Sequence, residues 1–234
     1  MKGADHFGAL AMALRIPIVA VLLGKQIHAA DLELPKTAPC RENDCITFGA
    51  FNNFSKVTDE QLRLWSRIML EIPTARLLIK STVFNSEAGR NYAIDRLRAA
   101  NIDLDRDRVR LERGDQYADY MKKFRAIDIL LDTFPYVGGG TTCDAMFMGV
   151  PVITMAGDRH GARFGFSFLS NVGAEELCAF GEDEYVEKAV ELANDFERVE
   201  RYHQTLRAAM KKSPLMNAAA YMSDIENAYV EIMR

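Results

Sequence analysis

Three glycines, Gly138-Gly139-Gly140, run directly into Thr141-Thr142-Cys143-Asp144. Glycines permit close backbone approach, and a helix start presents free N–H groups at the positive end of its dipole. A diphosphate needs both. Thr141 and Thr142 can cap such a helix and also donate to phosphate oxygens, and the same residues would equally make a flexible turn with a threonine N-cap. The run is neither G-x-G-x-x-G nor a P-loop, since no lysine follows it. Asp144 stands one helical step deeper. A carboxylate there can accept both hydroxyls of a ribose, or compensate the helix dipole as a first-turn acid.

Two further polar clusters suit an anion. Asn52-Asn53-Phe54-Ser55-Lys56 places a lysine where it can reach a phosphate as a point charge, although an isolated loop lysine is usually just solvated. Gly157-Asp158-Arg159-His160-Gly161-Ala162-Arg163 holds two arginines and a histidine, which fit an anion contact or a surface loop with local ion pairs. His6 and His28 lie near the N-terminus, and His203 is expected on a polar helix face. No histidine shows metal-ligand spacing. Cys40, Cys45, Cys143 and Cys178 form no C-x-x-C pair and read as free, reduced thiols of a cytoplasmic protein, with a Cys40–Cys45 bridge as the alternative.

The elements that must position these clusters alternate along the chain. Strands are predicted at Ile46–Phe51, Ala75–Lys80, Val109–Leu111, Ile127–Asp132, Val150–Met155 and Glu176–Phe180. Between them run helical patterns. Thr58 followed by Gln61 reads as a capping box, and Leu62, Trp65, Ile68, Met69 and Ile72 then recur at helical spacing until Pro73. Helices are expected from about Ser86 to Ala100, from Asp115 to Phe124, and from the glycine run to Met148. The chain ends in three apolar stripes: Tyr185 to Ala193, Val199 to Met210, and Tyr221, Ile225, Tyr229 and Ile232. Strand–helix alternation implies right-handed crossovers and a parallel, doubly wound α/β sheet. In such sheets ligands bind at the carboxyl ends of the strands, and all three polar clusters directly follow a predicted strand.

Composition narrows the function. The chain has 234 residues, 49% hydrophobic and 26% charged, with 29 Lys plus Arg against 33 Asp plus Glu and a net charge of −4. That is a globular chain, and its acidic balance argues against nucleic acid as a partner. Ile16–Gly24 is apolar but too short to span a bilayer, so no membrane partner is expected. The run has some features of a signal segment, and a buried strand or an abnormal start site fits as well. Residues 1–44 read as an extension ending in a linker from Asp31, and residues 45–234 as one Rossmann-like domain.

Four ordered segments resemble a known family: Phe48 to Lys56 (F-x-x-F-N-x-x-x-K), Leu131 to Tyr136 with the Gly-Thr turn, Met148 to His160, and Ser213-Pro214-Leu215-Met216-Asn217. From Ile46 to Arg234 the chain is similar to the O-linked N-acetylglucosamine transferases and their SPINDLY-type relatives. The resemblance implies the C-terminal, donor-binding half of a GT-B glycosyltransferase, an enzyme with two Rossmann-like domains. It implies a UDP-sugar donor, a protein acceptor with Ser or Thr, inverting transfer, and no metal or other cofactor. Lys56 would be the catalytic group contacting the diphosphate, and Asn53 stands where relatives often have Gln. Gly138, Gly139, Gly140, Thr141 and Thr142 would line the diphosphate, Asp144 would hold the ribose, and His160 and Arg163 would complete the site. Tyr117, Tyr120 and Lys122 stand in the stretch where animal members carry Lys, His and Arg. The N-terminal half, with the acceptor groove and the family's proposed catalytic histidine, has no counterpart in residues 1–39, and no tetratricopeptide repeats are present. A partner carrying that half is therefore one expectation, and a non-catalytic or truncated module that binds nucleotide or another protein is the alternative. A dinucleotide-dependent dehydrogenase fits poorly, because no acid follows the second strand at the required spacing.

Overall fold

In the computed structural model the described residues are 32–233, apart from 103 and 105–107. The apolar run at 16–24 lies outside them. Six strands form one parallel sheet: β1 (Thr47–Ala50), β2 (Arg76–Ser81), β3 (Val109–Arg113), β4 (Ile129–Leu131), β5 (Val152–Met155) and β6 (Cys178–Ala179). Their order is β3-β2-β1-β4-β5-β6. In register, Phe48 of β1 faces Leu77 on one side and Ile129 on the other, and Leu131 faces Ile153. Every residue of β1, β4 and β5 is buried, as central parallel strands require. The chain winds outward from β1 to β3, then restarts at β4 and winds the other way. This reversal makes the carboxyl ends of β1 and β4 the topological switch point, beside which sheets of this type form their ligand crevice.

The helices are α1 (Pro39–Asn43), α2 (Asp59–Glu71), α3 (Glu87–Ala99), α4 (Tyr117–Lys123), α5 (Gly140–Phe147), α6 (Phe164–Val172), α7 (Glu182–Ala193), α8 (Phe196–Lys212) and α9 (Ala218–Ile232). Among the described residues none is long and apolar enough to cross a membrane. Helix α2 packs on α7, while α5 and α6 pack on α8. Right-handed crossovers put these two groups on opposite faces of the sheet. All four cysteines are free and buried, as their spacing suggested.

Several local expectations are corrected. The stretch read as a linker contains α1, and it is docked rather than loose. The Cys40 N–H donates to Asp128 Oδ1 at 2.7 Å, and the Ala38 N–H donates to Glu200 Oε2 at 2.8 Å. His203 is buried, not on a polar face; its Nε2 donates to the Asp128 carbonyl at 2.9 Å. Thr58 caps α2 through the Gln61 N–H, but the Gln61 side chain does not complete the box. It is buried and turns across to Phe134 and Tyr185. The apolar stripe of α9 buries none of its residues: Tyr221 and Ile225 are half-buried, and Tyr229 and Ile232 are exposed.

Candidate functional site

The site grows from the loops that leave β1, β4 and β5. After β1 the chain makes a 3-10 turn, Phe54–Lys56, capped by Asn53, whose Oδ1 accepts from the Ser55 N–H at 3.1 Å. Asn53 is therefore exposed but committed to its own turn. Lys56 ends the turn, half-buried, and among the described residues no carboxylate pairs with it. Asn52 ties this loop to the next, donating to Asp132 Oδ1 and to Thr133 Oγ1, each at 2.9 Å.

After β4 comes Phe134-Pro135, joined by a cis peptide bond, and then the glycine run. Helix α5 begins at Gly140 with Gly139 as its N-cap, and no side chain caps it. The expected threonine cap is absent because both threonines lie inside the first turn. Thr141 is half-buried in the first turn of α5, near the Tyr120 hydroxyl. Thr142 is fully buried and donates to Asp132 Oδ2 at 3.5 Å, so its hydroxyl faces away from any ligand. Gly139 and Gly140 keep partly open backbone at the helix start, where the first N–H groups have no helical partner.

Asp144, only 8% exposed, follows on the inner turn of α5. Tyr117 opens α4 and donates its hydroxyl to Asp144 Oδ1 at 3.1 Å. Tyr120 lies one turn on, its ring 6.0 Å from that of Tyr117, 6.3 Å from Phe51 and 5.2 Å from Phe124. Burial, and then the charge of Asp144, push both phenols well above their usual pKa, so each remains a hydrogen-bond donor at neutral pH. Lys122 is turned away, donating to Asp119 on the surface at 2.8 Å. Lys80, near the end of β2, is a buried cation. It donates to Asp115 Oδ2 at 2.6 Å and to the Arg113 carbonyl, fixing the loop that enters α4.

The loop after β5 packs on the loop after β4. A β-carbon added at Gly157 would stand 3.0 Å from the Phe134 ring. His160 is exposed, edge-on to the Phe164 ring at 5.4 Å. Arg163 lies over the Phe166 ring and donates to the Gly157 carbonyl at 3.3 Å. Gly138, expected to line the diphosphate, is instead buried with its N–H committed to Asp132. The structure thus brings Lys56, Gly139, Gly140, Thr141, Asp144, Tyr117 and Tyr120 to neighbouring strand ends. It holds Thr142 below them, Asn53 on its own turn, and His160 and Arg163 on the adjoining loop. The residues missed in sequence are Asn52, Gln61, Asp132 and Tyr185, which hold the loops from beneath. The available signal was a carboxylate, Asp132, directly after three buried strand residues, where it has no route to solvent. Among the described residues no three His, Cys, Asp or Glu cluster closely enough to hold a metal ion.

A parallel sheet whose order reverses beside a glycine-opened helix defines a Rossmann-like α/β domain with an anion-suited crevice at its switch point. Comparison with known proteins agrees. The sequence profile of glycosyl transferase family 41 matches residues 35–225, and the chain belongs to that family. It is 39% identical over 198 residues to the probable UDP-N-acetylglucosamine–peptide N-acetylglucosaminyltransferase SPINDLY of Solanum lycopersicum, covering 84% of this chain and 21% of that protein. It is 28% identical over 187 residues to the UDP-N-acetylglucosamine–peptide N-acetylglucosaminyltransferase of Caenorhabditis elegans, covering 79% of this chain and 16% of that protein. A mutant O-GlcNAc transferase of Thermobaculum terrenum superposes with a TM-score of 0.77 at 28% identity, covering 85% of this chain and 37% of that one. The fold is therefore one Rossmann-like half of a GT-B glycosyltransferase. The chain spans about a fifth of the length of the SPINDLY relatives it matches.

Proposed function

We propose that this domain binds the nucleotide-sugar donor of a protein O-glycosyltransferase, the donor being UDP-N-acetylglucosamine or a close analogue. The observation that carries the reading is the pairing of two anion-suited groups at adjacent strand ends in a family 41 chain. Lys56, with no carboxylate partner among the described residues, follows β1; the open start of α5 follows β4. The names of the relatives supply the substrate class.

In this reading Lys56 and the N–H groups of Gly139, Gly140 and Thr141 receive the diphosphate. Tyr117 and Asp144 form the ribose pocket, since a carboxylate has room to accept from ribose hydroxyls as well as from a phenol. Transfer is inverting and metal-independent, as the family resemblance implies. A Ser or Thr hydroxyl of the acceptor protein attacks the anomeric carbon and gives up its proton to a general base, the bond from that carbon to the diphosphate oxygen breaks, and UDP departs with the electron pair. Lys56 and the helix start stabilise the charge that develops on UDP. Tyr120 supports the pocket wall, and His160 and Arg163 border the diphosphate from the loop after β5.

Calorimetric titration with UDP tests this. Lys56→Ala is expected to weaken binding by about tenfold or more, the size of a charge-assisted contact, and Asp144→Ala by a similar factor. If both variants bind UDP as the wild type does, these residues do not form the donor site.

A further inference from the structure

Asp132 lies beneath the glycine turn, only 1% exposed and out of reach of any ligand. Its Oδ1 accepts from Asn52 Nδ2 at 2.9 Å, from the Thr133 N–H at 2.9 Å and from the Gly138 N–H at 2.7 Å. Its Oδ2 accepts from Thr154 Oγ1 at 2.9 Å and from Thr142 Oγ1 at 3.5 Å. Those donors belong to the loop after β1, the loop after β4, the first turn of α5 and strand β5. Burial pushes this carboxyl above its usual range, and the donors oppose that shift. Among the described residues no cation pairs with it, so hydrogen bonds alone compensate it.

The contact is tight enough to dictate residue type. A β-carbon at Gly138 would stand 2.5 Å from Thr142 Oγ1, 2.9 Å from Asp132 Oδ1 and 3.0 Å from Asn52 Oδ1. Only glycine lets the backbone close over the carboxylate. The same loop is gripped a second time from α2 and α7. The Tyr185 hydroxyl donates to the Asp132 carbonyl at 2.9 Å, and Gln61 accepts from the Phe134 N–H at 3.0 Å. A site that binds by preorganised N–H groups needs such support from below, because small displacements weaken every contact at once.

We propose that Asp132 is the positioning residue of the nucleotide site: its buried carboxylate fixes the Gly138–Thr142 turn against the Asn52–Lys56 loop, so that backbone N–H groups and lysine face one ligand. The inference rests on the donor-site reading above. Asp132 touches no substrate and acts only through the turn.

The test titrates UDP into the full chain and measures Tm on the same samples. Asp132→Ala removes every bond and is expected to weaken UDP binding by about tenfold or more. Asp132→Asn keeps one oxygen for the Asn52, Thr133 and Gly138 donors, and its NH2 meets two threonine hydroxyls that can turn to accept. It is expected to restore binding to within about threefold of wild type. Leu97→Ala, a core truncation in the last turn of α3, which connects β2 to the edge strand β3, is expected to lower Tm and leave UDP affinity unchanged. Wild-type affinity in a folded Asp132→Ala overturns the proposal. So does an affinity loss in Leu97→Ala equal to that in Asp132→Ala, which would mark a general effect of destabilisation. Asp132→Asn binding as weakly as Asp132→Ala overturns it too, because charge rather than hydrogen bonding would then matter. If Asp132→Ala does not fold, Thr154→Val decides: about threefold weaker binding is expected for one lost bond, and unchanged binding overturns the proposal. Failure of the wild type to bind UDP, or wild-type affinity in both Lys56→Ala and Asp144→Ala, sinks the donor-site reading itself and the inference with it.

Discussion

The Nε2 of His203 donates to the Asp128 carbonyl, and its Nδ1 is buried with no partner among the described residues. A proton on Nδ1 would make a buried cation, so burial holds the imidazole below its usual pKa. The folded chain therefore resists protonation that the unfolded chain accepts. Stability from this group is complete above about pH 6.5 and is lost as pH falls toward the lower folded pKa. Asp128 acts in the opposite sense. Burial raises its carboxyl to about 6, so between about 6 and 4 the folded state takes up the proton first and gains stability as pH falls. Glu200 from α8 and Cys40 from α1 face the same cluster. In urea unfolding from pH 7 to 5.5, His203→Gln is expected to lose less stability than the wild type. Asp128 is common to both, so equal pH slopes would show that the imidazole does not titrate with folding. The expectation of an exposed His203 failed for a definite reason. The flanking Arg201 and Gln204 are polar, but position 203 lies four residues after Val199 and three before Leu206, on the stripe of α8 that the fold buries.

At the scale of elements, one carboxylate joins the N-terminal segment to the sheet. Asp128 accepts from the Cys40 N–H with one oxygen and from the Thr47 N–H, at 2.8 Å, with the other. This is why α1 is docked although its sequence, with two nearby prolines and several charges, looks like a linker. An amide has a single oxygen, so Asp128→Asn must leave one of those N–H groups facing another donor. Hydrogen exchange is expected to show amide protection at Cys40 or Thr47 falling by about tenfold or more, while β4 and β5 amides keep theirs. Unchanged protection at both positions would mean that Asp128 does not hold the segment. Residues 128 and 40 are far apart in sequence, and no local pattern pairs them. By contrast, α2, α3 and all six strands fall where periodicity and caps put them, to within a few residues. There, local signals suffice: Thr58 and Ser86 each cap the helix that follows.

At the scale of the whole molecule, one core holds the sheet and its flanking helices, and α9 stands apart from it. Met222, Tyr229, Val230, Ile232 and Met233 are each more than half exposed, and the helix buries no residue. Removal of residues after Asn217 is therefore expected to change Tm by less than about 2 °C in a thermal scan. A drop of about 5 °C or more would show that α9 contributes to the same cooperative unit. The sequence by itself determined the class of fold and the order of the elements, and it singled out the loops proposed to carry the site, because those follow from periodicity, turn chemistry and the rule that strand ends hold ligands. It also determined family membership, through four ordered motifs. Tertiary structure decided the division of labour within each loop. Thr141 and Thr142 are adjacent and chemically identical, yet one borders the crevice and the other is sealed against Asp132. Gln61 carries a capping-box signature and spends its side chain on another helix and another loop. Such choices depend on what lies across a gap of many residues, and burial and hydrogen-bond satisfaction settle them only once the sheet has assembled.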